Sequence, residues 1–195
     1  MTAAVDLQFQ GPFSLLSREP PSLFDEPAAQ KPGIYLWAVP YHLGGYLPIY
    51  VGETGASIAQ RNKDHVIQTL GGNYRVCDPD RLPFGEARVI WNGLWRKDCR
   101  HRLGEYLHRV EELLPAIRRE LLLEVVFVAP AKLESRLRRR IEGAVAGHIR
   151  SQPPPACSLL PSDIRYHLRR STETPVAVRI SIPVNVLGLP SVLSA

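Results

Sequence analysis

Cysteine is scarce: only Cys77, Cys99 and Cys157 occur in 195 residues, odd in number and far apart. A disulfide framework is therefore not expected, and a reducing cytoplasm is the expected compartment. Long apolar runs are missing too. The longest, such as Leu121–Leu123 and Val125–Pro130, fall far short of a membrane span, so no membrane partner is expected. The first 25 residues carry Asp6, Arg18, Glu19 and several prolines where a secretory signal would place a basic start and an apolar stretch, and no such signal is expected. Internal repeats are absent, and the 45% apolar and 22% charged composition is that of a folded chain with one core. Acidic charge is in deficit: 24 Lys and Arg against 19 Asp and Glu give a net charge of +5, mostly carried by arginine. Because the guanidinium grips phosphate with two prongs, this surplus fits a nucleic-acid partner.

Punctuation by proline and glycine divides what remains. Residues 1–32, interrupted by Pro12, Pro20, Pro21, Pro27 and Pro32, read as an N-terminal arm with a short strand at Val5–Phe9. Gly33–Val39 and Leu47–Gly52 are aromatic-rich runs separated by a segment containing Gly44-Gly45, the pattern of a hairpin. Ser57–Leu70 reads as a helix with Ile58, Val66, Ile67 and Leu70 on one face, stopped by Gly71-Gly72. After a loop-rich stretch with a strand at Ala87–Trp91 comes a helix over Arg100–Leu123, with Leu103, Leu107, Val110, Leu114 and Ile117 inward and Pro115 expected to kink or split it. Glu124–Ala129 reads as a buried strand, and Pro130–Arg150 as a helix with Leu133, Leu137, Ile141, Val145 and Ile149 spaced by four. Residues 151–174 look irregular, and Val176 to Val184 alternate as a half-buried strand. The expected fold is α+β: a small, mainly antiparallel sheet flanked by helices, with extra terminal strands.

The chemistry concentrates in Gly33-Ile34-Tyr35, Tyr50-Val51-Gly52, Arg61 and His65. Arg61 and His65 lie four apart, so on a helix they point the same way. This ordered set resembles the GIY-YIG nuclease family, in which two short motifs sit on adjacent strands and an arginine and a histidine follow on the next helix. The likeness covers 33–65 closely and 124–150 more loosely. It implies a core over 33–150 with an insertion at 72–120, a C-terminal extension at 151–195, and a metal-dependent endonuclease that hydrolyses phosphodiester bonds in DNA. Tyr35 would accept or orient the proton of the attacking water, beside Tyr50. Arg61 would bind the scissile phosphate, and His65 would assist proton transfer. A glutamate on the helix after the third strand would hold Mg2+ or Mn2+; Glu142 fits that place, with Glu134 as runner-up. A tyrosine base at neutral pH further requires nearby cations to favour phenolate. Arg138 and Arg139, with Arg61, would contact the nucleic acid. The sequence departs from the family in the fourteen residues, 36–49, between the tyrosine motifs, in the insertion, and in lacking an asparagine soon after the last helix, the first being Asn185.

Each residue also has a plainer reading. Tyr35 and Tyr50 can be core aromatics, Arg61 and His65 ordinary helix residues, and Glu142 the partner of Arg138 in a surface ion pair. Cys99-Arg100-His101 lacks a second pair at zinc spacing. Arg136–Arg140 and Arg165–Arg170 can follow a phosphate backbone or face solvent, and Trp91, Trp95 and Tyr106 can stack on bases or fill the core. Gly44-Gly45 lacks the lysine and helix start of a phosphate loop. Two other function classes therefore stand beside the nuclease: a catalytically inactive nucleic-acid-binding module of the same fold, and a protein-interaction domain. No separate DNA-recognition domain is expected within these residues, so specificity would come from the arm, the insertion or a homodimer.

Overall fold

A computed structural model describes residues 4–17, 19–95 and 101–195. The chain is mixed α and β. Strands β1 (Ala4–Gln8), β2 (Gln10–Ser14), β3 (Gly33–Pro40) and β4 (Tyr46–Thr54) precede helix α1 (Ile58–Leu70). Strands β5 (Val76–Cys77) and β6 (Val89–Trp91) lead to α2 (Leu103–Leu123), β7 (Val125–Pro130) and α3 (Ser135–Arg150), and β8 (Ala177–Ser181) and β9 (Val192–Ser194) follow. The central sheet has the order β2-β7-β3-β4, antiparallel throughout. The terminal sheet, β1-β8-β9, contains the parallel pair β1 and β8.

Strand β3 explains the layering. Its residues are buried from Gly33 to Val39, so both faces must be covered. Tyr35 and Trp37 point into a core shared with Ile58, Val66, Tyr106, Leu113, Ile117 and Leu121, which brings α1 and α2 to that face. Ile34, Leu36 and Ala38 point the other way, into a core built with Ile141, Val145 and Ile149 of α3 and Leu7, Val178 and Ile180 of the terminal sheet. The first 32 residues are thus not a free arm. Strand β2 completes the central sheet, β1 pairs with β8, and Phe9, Phe13, Leu15 and Leu23 are all buried. A strand edge with unpaired N–H and C=O groups recruits whatever chain can pair with it, and the alternation Val5, Leu7, Phe9 supplies an apolar face to do so.

Two helices bury faces other than the leucine pattern predicts. In α1, Ile67 and Leu70 are exposed, and the inner face is Ile58, Ala59, Asn62, His65, Val66 and Thr69. In α2, Leu103, Leu107 and Leu114 are exposed, while Tyr106, Leu113, Ile117, Glu120 and Leu121 face inward. Pro115 does not split α2: it lies on the solvent side, where water can bond the carbonyl its ring leaves without a donor. Helix α3 starts at Ser135, five residues later than expected, with Glu134 at its N-cap. The expected helix start at Arg100 and the Cys99-Arg100 part of the cysteine motif lie outside the described residues. Cys77 and Cys157 are free thiols. Among the described residues no helix is long and apolar enough to cross a membrane.

Candidate active site

The register of β3 against β4 pairs Tyr35 with Gly52 and Trp37 with Tyr50. Directly paired residues share a sheet face, so both motif tyrosines look toward α1. Gly52 is required there by contact: a Cβ at that position would collide with the ring and hydroxyl of Tyr35. The next residue, Glu53, turns to the opposite face, toward α3.

Helix α1 starts at Ser57, whose hydroxyl accepts from the Gln60 N–H at 3.1 Å. It then presents three polar side chains to the core, and all are satisfied, Thr69 by donating to the His65 carbonyl at 3.0 Å. Asn62, fully buried, accepts a hydrogen bond from the Trp37 indole N–H and donates to the Ile58 carbonyl at 2.7 Å. His65 meets the Tyr35 hydroxyl with Nε2 at 2.9 Å in a buried setting. Tyr50 lies beside both, its ring centroid 6.0 Å from that of Tyr35 and 5.5 Å from that of His65. Arg61, one turn before His65, is exposed and adjoins the Tyr35 hydroxyl.

Helix α3 approaches from the far face. Arg138 is buried, its Nε donating to Glu53 Oε2 at 2.6 Å and its Nη1 to the Leu133 carbonyl at 2.7 Å. Arg139, about half exposed, reaches the same carboxylate at 3.5 Å. Glu142, one turn further, is half-buried and interacts electrostatically with Glu53, Arg139, Arg61 and Tyr50. The two faces of the sheet therefore meet at its terminal strand β4. Tyr35, Tyr50, Arg61, His65 and Glu142, drawn from four elements, form one cluster.

Burial dominates the electrostatics. It drives the Tyr35 phenol well above its ordinary value, with Tyr50 adding to the effect and Arg61 opposing it. Tyr50 is pushed up to about 12 by burial and by Glu142. His65 is pulled down to about 4, by burial and then by Arg61, so its imidazole is neutral near pH 7. Glu142 is raised to about 7, by burial and then by the charge of Glu53, against hydrogen bonding from the Glu53 backbone. The phenolate that a tyrosine base would require is thus not what the site favours: desolvation outweighs Arg61.

Other expected residues fall elsewhere. Arg138 is not a surface contact for nucleic acid but the buried partner of Glu53, and it makes no surface pair with Glu142. The rest of the arginine run is similarly committed: Arg136 pairs with Glu173, and Arg140 donates to the carbonyls of Thr174 and Ala195. Only Arg139 in that run is exposed. Glu134 is exposed, two turns before Glu142. Asn185 is exposed and uses its carbonyl on the Tyr46 N–H. Trp91 and Tyr106 are core residues, but Trp95 is 67% exposed.

Several members of the neighbourhood escape a motif reading. Glu53 directly follows Gly52, but a carboxylate on an alternating strand gives no sign that a helix 85 residues later will bury it. Tyr74 stands 5.5 Å from His65, ring to ring. Tyr166, from the irregular segment, donates to the Val51 carbonyl at 3.3 Å under the Arg150 guanidinium and is raised by burial, Tyr50 and Glu142. Among the described residues, no three His, Cys, Asp or Glu side chains gather as a metal site. Compared with family models, curated proteins and solved structures, the chain matches none.

Proposed function

We propose that this protein is a metal-dependent endonuclease of the GIY-YIG type, hydrolysing phosphodiester bonds in DNA. The observation that carries the reading is the buried Tyr35–His65 hydrogen bond with Arg61 and Glu142 beside it. A core tyrosine needs no histidine, and a surface arginine needs no pair of phenols. The arrangement of elements supports the same reading: paired strands bear the two motifs, the next helix bears Arg61 and His65, and a third strand antiparallel to β3 leads into the helix bearing Glu142.

The chemistry follows from the protonation states. His65 is neutral, so in the tautomer with a bare Nε2 it accepts the Tyr35 proton. The Tyr35 oxygen then has a lone pair free for the attacking water, and as that water loses its proton to Tyr35, Tyr35 passes its own to His65. The relay forms no free phenolate. As the water oxygen bonds phosphorus and the P–O bond to the leaving oxygen breaks, the proton that His65 gained, and that its value of about 4 makes it quick to release, returns through solvent to that leaving oxygen. Arg61, exposed at the rim, binds the phosphate and the charge that develops on it. Glu142 fits a divalent cation because burial and Glu53 leave its carboxylate poorly stabilised, which a positive ion would relieve. Mg2+ or Mn2+ held there supplies charge neutralisation for the phosphate.

The test is cleavage of supercoiled plasmid, branched, single-stranded and RNA substrates. Nicking in magnesium, lost in chelator and in Glu142→Gln, is the expected result. Wild-type cutting by Glu142→Gln, or failure to cut any member of the panel, would sink the proposal.

A further inference from the structure

Beside the catalytic cluster lies a cleft of about 460 Å³ that the phosphodiester chemistry does not use. That volume is within the range of sites for small organic groups. Its lining includes Tyr50, Arg61 and His65 of the cluster together with Tyr74 and Trp95. Trp95 exposes 67% of its surface although its ring stands only 6.3 Å from that of Tyr74. A flat indole left in water beside a second ring, at the mouth of a cleft, is a surface on which a planar heterocycle can stack.

The same lining carries two largely buried acidic side chains. Glu120 and Glu124 are 7% and 5% exposed and both line the cleft. The Glu120 carboxylate accepts from the Cys77 N–H at 3.1 Å. The Glu124 carboxyl makes no hydrogen bond to any described residue, and its only strong neighbour is Glu120. That carboxyl lines the cleft, so its hydrogen-bonding capacity is open to whatever occupies it, ligand or water. The two carboxyl groups, with Arg75 beside Glu120, give this lining hydrogen-bonding capacity for a polar ring. They suit a ring bearing an N–H2 donor next to a ring-nitrogen acceptor. Burial raises both groups, Glu124 further through the charge of Glu120, and Glu120 against the Cys77 N–H and Arg75, so that a protonated carboxyl, donor and acceptor side by side, faces the cleft.

We propose that this cleft receives one unpaired nucleobase carrying an exocyclic amine, adenine or cytosine, beside the phosphate held at Arg61. The inference rests on the nuclease reading for the position of that phosphate. It makes the preferred substrate a strand with an unpaired or extruded nucleotide rather than an uninterrupted duplex.

Binding without metal separates the two proposals. Fluorescence anisotropy in chelator would compare four labelled DNAs: fully paired, and duplexes with one unpaired adenosine, thymidine or abasic residue. The unpaired adenosine should bind about tenfold tighter than the abasic residue, the contribution of one stacked base. Trp95→Ala should remove that preference, and its exposed position makes folding safe. Glu124→Leu, of similar volume, should abolish the choice of adenosine over thymidine. Equal affinity for adenosine and abasic DNA, or a preference that survives Trp95→Ala, overturns the assignment. Failure to bind any probe overturns it too. A base preference in a protein that never cuts would leave the cleft standing and remove the nuclease; magnesium-dependent cutting with no base preference does the reverse.

Discussion

Arg138 donates to Glu53 at 2.6 Å, joining the helix that carries Glu142 to the strand that carries Tyr50 across 85 positions of sequence. Both side chains are largely out of water, the arginine 9% and the carboxylate 14% exposed. Leaving one member of such a pair buried alone costs about 3–5 kcal/mol. Arg138→Ala should therefore lower the urea midpoint sharply without altering the salt dependence of DNA binding. Arg139→Gln, at an exposed position, should weaken binding and flatten its salt dependence with a much smaller loss of stability. The reverse pattern would show that Arg138 is the surface contact.

Tyr35→Phe removes only the hydroxyl that meets His65. The ring still packs over Gly52, so the circular dichroism spectrum should be retained. If the proton leaves the water through that oxygen, cleavage should slow by roughly two to four orders of magnitude. Tyr46→Phe serves as control, because the Tyr46 ring packs against Phe127, in the other core, 5.3 Å between centroids. Near-normal cleavage by Tyr35→Phe in a protein that still requires Glu142 would remove the tyrosine from the mechanism.

Gly52→Ala tests the contact beneath Tyr35. The added methyl has no free space, since the phenol ring occupies it. The ring must move, with a cost of about 1–3 kcal/mol and a displaced hydroxyl. Thermal unfolding should come earlier and cleavage should fall together with it. A fully stable, fully active Gly52→Ala would mean that Tyr35 does not sit where the strand register puts it.

The pH dependence of stability has two opposing limbs. His65 has its folded-state value depressed to about 4 from 6.5, by burial first and then by Arg61, with Asp64 opposing. Between those values the unfolded chain binds the extra proton, so stability is full above the ordinary value and is lost as pH falls toward 4, on the order of 3 kcal/mol in all. Glu120 has its value raised by burial, so the folded state holds the extra proton and stability declines as pH rises above the ordinary carboxyl range. Urea titrations from about pH 7 down to about pH 4.5 should show an acid loss in wild type that His65→Gln largely lacks. An identical acid slope in both proteins would mean that His65 is not held neutral by the fold.

By itself the sequence determined what depends on near neighbours along the chain. Apolar, aromatic-rich runs and glycine placement are enough to mark β3, β4 and the turn between them; Ser57 and Gly71 bound α1; and a spacing of four puts Arg61 and His65 on one side of it. The mixed α and β class follows from the same periodicities. Tertiary structure decided everything that depends on which groups lose water. In α2, Leu103, Leu107 and Leu114 are exposed and Glu120 is buried because α1 and β5 lie on that side. In α1 a polar face turns inward because Tyr35 and Trp37 wait there to bond His65 and Asn62. The same effect separates Arg138 from Arg139, adjacent in sequence, one locked on Glu53 and one in solvent. A local pattern records only what a residue prefers; whether a charge is paired, a carboxyl neutral or a tryptophan left bare is settled by segments tens of residues away, because desolvation is a property of the assembled surroundings.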